Sequence, residues 1–479
     1  MAARDRAVTL APELREATSA AGPADPTSYP HAPRRLLGIL FWRALAAVTR
    51  AVDHLGRLSF YVGLLLVALT DWRLPGDVAG IADPFLFVSL VCAVFLALRG
   101  QSFNIAVFKL HALGVALLAA GMVISILAQP REGLQNLISF GKIMFVTTLL
   151  IFTCVVIIKH RRQLILALGC WVTSAVVTSI VAVLHTLHGE SLFGIDNPGE
   201  MRMGGLTGNP NHLGFTAGLA IVGAASLAAR ANGLGRVPWL LAIVACVSGV
   251  MVSASRTGAT VALGSLAVWF ALHFRLKREA TLLLGAVAVL TSLCAGYLFV
   301  TAGGGLSLAD RMTNVADPSA DSAIKGRLDQ YALVIDLVMQ QPFVGVGFGD
   351  DGLDGDVVHN MVLRVVYAGG LLSGFGLILI LGDLLFKGVT NYGNAGSYEM
   401  KVVALCLLAG AIGLIVAGMT EPVLYQRQVW IPAALTMALW VLQRRSYQGR
   451  PSRSSAHRIG GWRRSLDRPS AAQDRLATR

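Results

Sequence analysis

VVALCLLAGAIGLIVAGMT, residues 402–420, runs for nineteen positions without a charged side chain. A segment of that length and polarity matches the ~30 Å apolar core of a bilayer, which takes about 20 residues of α-helix to cross. In lipid each backbone N–H and C=O must be satisfied within the segment, so such a run is helical. Working outward, further runs lie near 55–70, 81–98, 105–128, 134–158, 164–187 and 212–229. Others follow near 238–254, 257–274, 280–301, 360–382 and 429–442. The expected fold is therefore an all-α polytopic integral membrane protein of about twelve transmembrane helices.

Composition agrees with that class. Of 479 residues, 55% are hydrophobic and only 14% charged, yet the formal net charge is +13. Soluble domains carry about 25% charged residues, so the basic balance does not describe a charge-rich nucleic-acid surface. The six cysteines, Cys92, Cys154, Cys170, Cys246, Cys294 and Cys406, stand singly in apolar runs. They form neither a disulfide framework nor a zinc motif. Residues 1–54 read as a disordered cytoplasmic leader, 55–445 as the membrane domain and 446–479 as a basic cytoplasmic tail.

Lysine and arginine fix the expected sidedness. With both termini in the cytoplasm, 29 Lys and Arg fall inside, 8 outside and three (Lys109, Lys142, Arg364) within spans. Acidic residues divide as 10 inside and 17 outside. Two outer connections are long, 188–211 and about 302–358, and long ordered loops in a compact protein are usually functional. In the larger one, RLDQYALVIDLVMQ (Arg327–Gln340) repeats Leu328, Tyr331, Ile335, Val338 and Met339 at helical spacing. That spacing predicts an amphipathic helix, closed by Pro342. The GVGFGD that follows (Gly345–Asp350) lacks the lysine of a nucleotide loop and reads as a turn.

The outer cations run against the topological bias and ask for a reason. Arg202, Arg256 and Arg327 come from three separate outer segments. Guanidinium groups grip phosphate with paired hydrogen bonds, and convergence on a diphosphate would also neutralise a leaving group. His359, followed by Asn360, stands where the large loop re-enters the membrane, and imidazole is the side chain most often used as a general base. Glu421, in TEP between the last two runs, is a carboxylate at the membrane edge and a functional candidate on that ground.

Four segments together resemble the O-antigen ligase and O-antigen polymerase superfamily of bacterial membrane glycosyltransferases. RMGGLTGNPNHLG (Arg202–Gly214) is similar to its Arg-containing loop before an NPN-like helix start. SASRTGA (Ser253–Ala259) is similar to its SR turn. GRLDQYALVIDLVMQQPFVGVGFGD (Gly326–Asp350) is similar to its amphipathic segment. HNMVLRVVYAGGLLSGFG (His359–Gly376) is similar to the ligase H-N-x9-G-x-x-G element, except that Ser373 takes the second glycine position, with Gly374 one later.

The resemblance implies an inverting transfer at the periplasmic face of the inner membrane, with no metal and no cofactor. The donor it implies is a glycan on undecaprenyl diphosphate. The acceptor is lipid A–core for a ligase, or a growing polysaccharide for a polymerase, the alternative kept open here. By position, His359 becomes the base, and Arg202, Arg256 and Arg327 the diphosphate ligands; Asn360 beside the histidine, and Glu421 on the ground given above, complete the expected catalytic residues. The expected partners are these substrates and membrane lipids, not nucleic acid. A lipid-linked oligosaccharide flippase or transporter fits less well. The two halves show no repeat, and ionisable midplane residues are nearly limited to Lys142 and Arg364.

Overall fold

The computed structural model describes residues 32–72, 80–100, 108–128, 133–188, 202–278, 285, 289, 322–347 and 358–448. The chain forms two compact units, Met1–His54 and Leu55–Arg479. The described residues of the first belong to α1 (Ala32–Leu66), which runs on past the boundary. The second holds α2 (Asp83–Leu98), α3 (Lys109–Ala128), α4 (Gly133–Met144) and α5 (Leu150–Ile157), the last two joined by a π-helical turn at Phe145–Leu149. Then come α6 (Arg161–His188), α7 (Pro210–Arg230), α8 (Val237–Ser253), α9 (Arg256–Phe274) and α10 (Ser322–Gln340). The series ends with α11 (Met361–Gly393), α12 (Tyr398–Thr420) and α13 (Arg427–Gln448).

Among the described residues, eight helices are long and apolar enough to cross a membrane. Of the other expected spans, 280–301 lies almost wholly outside the described residues, as do the tail beyond 448 and the leader before 32. The runs at 81–98, 55–70 and 429–442 fall on α2, which has 16 residues, and on the arginine-bearing helices α1 and α13. The described cysteines, Cys92, Cys154, Cys170, Cys246 and Cys406, are free and buried.

The core of the larger unit sits around α7, α12 and α13. Trp430, Phe215, Leu414 and Met437 are wholly buried there. Pro432 inside α13 has no N–H for the carbonyl four residues back, and that carbonyl, on Gln428, accepts instead from Trp171 Nε1 at 2.8 Å. Lys387, which the charge count places in an inner loop, is instead 2% exposed within α11 and pairs with Asp383 one turn away.

The amphipathic helix forms as α10, with a different buried face from the expected one. Val334 and Val338 pack with Val358 and Tyr367, and Tyr331 and Leu337 flank them. Leu328, Ile335 and Met339, grouped with Tyr331 and Val338 by spacing, are exposed. The stripe runs through 331, 334 and 338, about one residue round the helix, and the outward aliphatic residues suit an apolar surround.

The HN-x9-G element and the PFVGVG segment turn out to be one device. α11 is broken at Gly369 and Gly370, where Gly370 takes φ +71°. The break frees the carbonyls of Tyr367 and Ala368, which accept from Val346 N at 2.7 Å and Gly347 N at 3.1 Å. Leu371 N donates back to Pro342 O at 2.7 Å. A Cβ on Gly370 would lie 2.3 Å from Phe343 O, so only glycine permits this docking. Ser373, the departure from the motif, donates to Leu118 O at 3.1 Å, and Ser125 Oγ donates to Ala368 O at 2.6 Å, tying the broken helix to α3.

Candidate active site

The segment carrying Arg202 is held by its own backbone before it reaches any substrate. Thr207 and Gly208 turn the chain, and Asn209 then caps α7, accepting from Asn211 N at 2.8 Å. Pro210 follows at the first helical position, where its missing N–H costs nothing. With Asn209 serving as the cap, the Asn211 side chain is left to work elsewhere. Ser255 caps α9 in the same way, accepting from Gly258 N at 3.1 Å, so Arg256 opens that helix. Asn360 caps α11, accepting from Leu363 N at 3.0 Å and donating to Met419 O at 3.2 Å. His359 is thereby fixed one residue before a helix start.

Glu421 is the hub that joins these elements. It is 5% exposed, at the C-terminal cap of α12. Its Oε1 accepts from Asn211 Nδ2 at 2.9 Å and from Arg327 Nη2 at 3.0 Å. Its Oε2 meets His359 Nδ1 at 3.1 Å. A buried carboxylate with three such contacts is one whose charge is compensated rather than stranded. Against a carboxylate, Nδ1 is the ring nitrogen that carries hydrogen, which turns the lone pair of Nε2 away from Glu421. The carbonyl of His359 also accepts from Tyr331 Oη at 2.6 Å. Burial pushes the Tyr331 phenol upward; the nearby Arg327 opposes that rise and Glu421 adds to it.

Arg202 enters through Asn211. Its Nη2 donates to Asn211 Oδ1 at 2.6 Å, and its Nε to Ser253 O at 3.1 Å. Ser255 Oγ donates to the same Asn211 oxygen at 3.0 Å. The amide thus links one predicted cation to the carboxylate, at the same oxygen that accepts from Arg327. Arg202, Arg327, His359 and Glu421 lie in one connected network. Arg256 borders it through its neighbour Ser255, and Asn360 through its cap. Asn211 was given no role by the sequence, and Tyr331 was placed only on the apolar stripe of the amphipathic helix. The clue to Asn211 was present in NPN, where one asparagine suffices as the cap and a second is surplus.

The side chains of His359 and Arg327 are 34% and 33% exposed, so the network presents both to an approaching ligand while burying the carboxylate that orients them. Among the described residues, no group of His, Cys, Asp or Glu is arranged to hold a metal ion.

The family model described as O-antigen ligase matches residues 241–381. Those residues are an O-antigen ligase family domain. The matched stretch contains Arg256, Arg327, His359 and the broken helix. Arg202, Asn211 and Glu421 lie beyond its ends and join it through the network above. Over that stretch the chain is similar to the O-antigen ligase and polymerase superfamily, whose members are membrane glycosyltransferase-like enzymes, and its apolar helices fit a multi-pass membrane protein. No curated protein matches the sequence.

Proposed function

We propose that this O-antigen ligase family protein moves a glycan from undecaprenyl diphosphate to an acceptor hydroxyl at the periplasmic face of the inner membrane. Lipid A–core is the acceptor. The observation that carries the reading is Glu421, which holds a histidine through one oxygen and an arginine through the other.

The acceptor O–H gives its proton to His359 Nε2 as its oxygen attacks C1 of the first sugar. The new C–O bond forms on the face opposite the diphosphate, so the anomeric configuration inverts. The old C1–O bond breaks with its electron pair going to the diphosphate, whose charge Arg202, Arg256 and Arg327 take up. Glu421 keeps the imidazole in the productive tautomer and stabilises the imidazolium formed on proton transfer. Asn360 acts as a positioning residue through its cap. A lipid diphosphate is already activated, so this sequence of steps calls for neither metal nor nucleotide.

The glycolipid gel profile of a strain lacking the protein tests the ligase assignment. The reading predicts loss of every capped lipopolysaccharide band, with full-length polymer accumulating on carrier lipid. A profile reduced to single-repeat caps, or loss of exopolysaccharide alone, would assign polymerisation instead.

A further inference from the structure

Arg364 is a cation that the steps above leave unused. It stands in the first turn of α11, where its backbone N–H donates to Asn360 O at 2.8 Å, and the residue is only 6% exposed. A guanidinium in that place carries two penalties. It is withdrawn from water, and it sits at the positive end of a helix dipole. An apolar side chain would fill the space without either, so a buried charge in a membrane helix points to a function.

Its contacts lead to the elements that carry the rest of the network. The guanidinium carbon lies 6.0 Å from the centre of the Tyr367 ring, at the outer limit of a cation–π contact. Tyr367 is packed against Val334 and Val338 of α10, the helix that presents Arg327 and Tyr331. Arg364 also hydrogen-bonds to the phenol of Tyr425, which bonds to Ser139 of α4 as well. Burial pushes that phenol upward, and the charge of Arg364 is the largest influence opposing the rise. Tyr425 closes the 3₁₀ turn Val423–Tyr425, four residues after Glu421.

The segment after Glu421 is also fastened elsewhere. Val423 O accepts from Trp430 Nε1 at 2.9 Å, and Gln428 O accepts from Trp171 Nε1 at 2.8 Å. Gln426 meets His212. Those ties run to α13, α6 and α7, whereas the Arg364–Tyr425 bond runs to α11, five residues beyond His359. One buried guanidinium thus braces the helix of His359 against the segment of Glu421 and, through Tyr367, against the helix of Arg327.

We infer that Arg364 is a positioning residue for the transfer: braced by Tyr425 and Tyr367, it sets the distance and angle at which His359 meets Glu421. It acts through that pair and not on the diphosphate. The inference rests on the function proposed above and gives a task to a cation that the motifs leave without one.

The test is transfer of extracted lipid-linked glycan to lipid A–core by full-length variants in proteoliposomes, with rates normalised to folded protein. Tyr425→Phe removes the bond and keeps the ring; kcat is expected to fall about tenfold while donor KM stays unchanged. Arg364→Gln should lower kcat about a hundredfold, the scale of a misplacement of about 1 Å. Arg364→Lys, which keeps the charge and loses the planar fork, should recover part of that loss.

The deciding readout is Tyr425→Phe in a Glu421→Gln background, followed over extended incubation. With the carboxylate gone there is no pair left to position, so the second change should lower kcat by less than about twofold. A repeat of the full tenfold loss there would show a merely structural role and overturn the inference. Unchanged kcat for Tyr425→Phe alone, or a loss confined to KM, would overturn it too and leave the proposed function standing. If Arg364→Gln fails to insert, the two Tyr425 variants still decide the question. A wild-type protein that transfers no glycan overturns the proposed function and this inference with it.

Discussion

Replacing Glu421 by Gln removes one negative charge and keeps the side chain's volume. In the native site both oxygens accept: Oε1 from Asn211 and Arg327, and Oε2 from His359. An amide offers one acceptor atom in place of two. Whichever way it turns, an NH2 group faces either His359 Nδ1 or the Asn211–Arg327 pair. Facing His359, it presents a donor to Nδ1 and favours the tautomer with hydrogen on Nε2, the wrong one for a base. A charge-assisted hydrogen bond is worth about 1.5–3 kcal/mol, or roughly 10- to 150-fold in rate at RT ≈ 0.59 kcal/mol. Where the carboxylate of a His–carboxylate pair is replaced by an amide and the wrong tautomer results, the loss reaches about 10⁴. The expected fall in kcat is therefore about 10²–10⁴. KM for the lipid-linked donor should change little, because the guanidinium groups remain. The assay is transfer of extracted lipid-linked glycan to purified lipid A–core in proteoliposomes, read as a gel shift. A Glu421→Gln enzyme with kcat within about threefold of wild type would refute the dyad.

Three further outcomes follow from the same geometry. Asn211→Ala cuts the link between Arg202 and Glu421 and should raise donor KM and lower kcat together, each by about tenfold, in the same proteoliposome assay. Gly370→Ala puts a side chain at φ +71°, 2.3 Å from a backbone oxygen; it should cost more than about 2 kcal/mol and be seen as a lowered melting temperature in detergent. Tyr331→Phe removes the bond to the His359 carbonyl and should slow transfer modestly. Because the Tyr331 pKa is raised above its ordinary 10.0, its contribution to stability is complete below pH 10 and is lost as pH climbs through the higher folded value. Wild type should therefore lose stability to unfolding above pH 10 more steeply than the Phe variant.

The membrane class and most of the helices could be read directly, because long uncharged runs have one physical solution in lipid. The chemistry-bearing residues were legible for a related reason. Arg202, Arg327 and Glu421 are expensive where they stand, so each needed a partner, and the fold makes them partners of one another or of Asn211. What stayed hidden depends on contacts distant in sequence. Asn211 reads as part of a helix start until Glu421, 210 residues away, appears beside it. The start of GVGFGD reads as a turn until the break at Gly369–Gly370 supplies the carbonyls with which Val346 and Gly347 pair. The buried face of α10 was misread by about one residue, since spacing alone cannot tell a face turned to protein from an apolar one turned outward.

His359→Ala in proteoliposomes, with bound carrier and transferred product measured on the same sample, tests the central claim most directly. The account predicts normal insertion and normal retention of the undecaprenyl-diphosphate glycan, with transfer to lipid A–core abolished. Transfer by His359→Ala at the wild-type rate would contradict it.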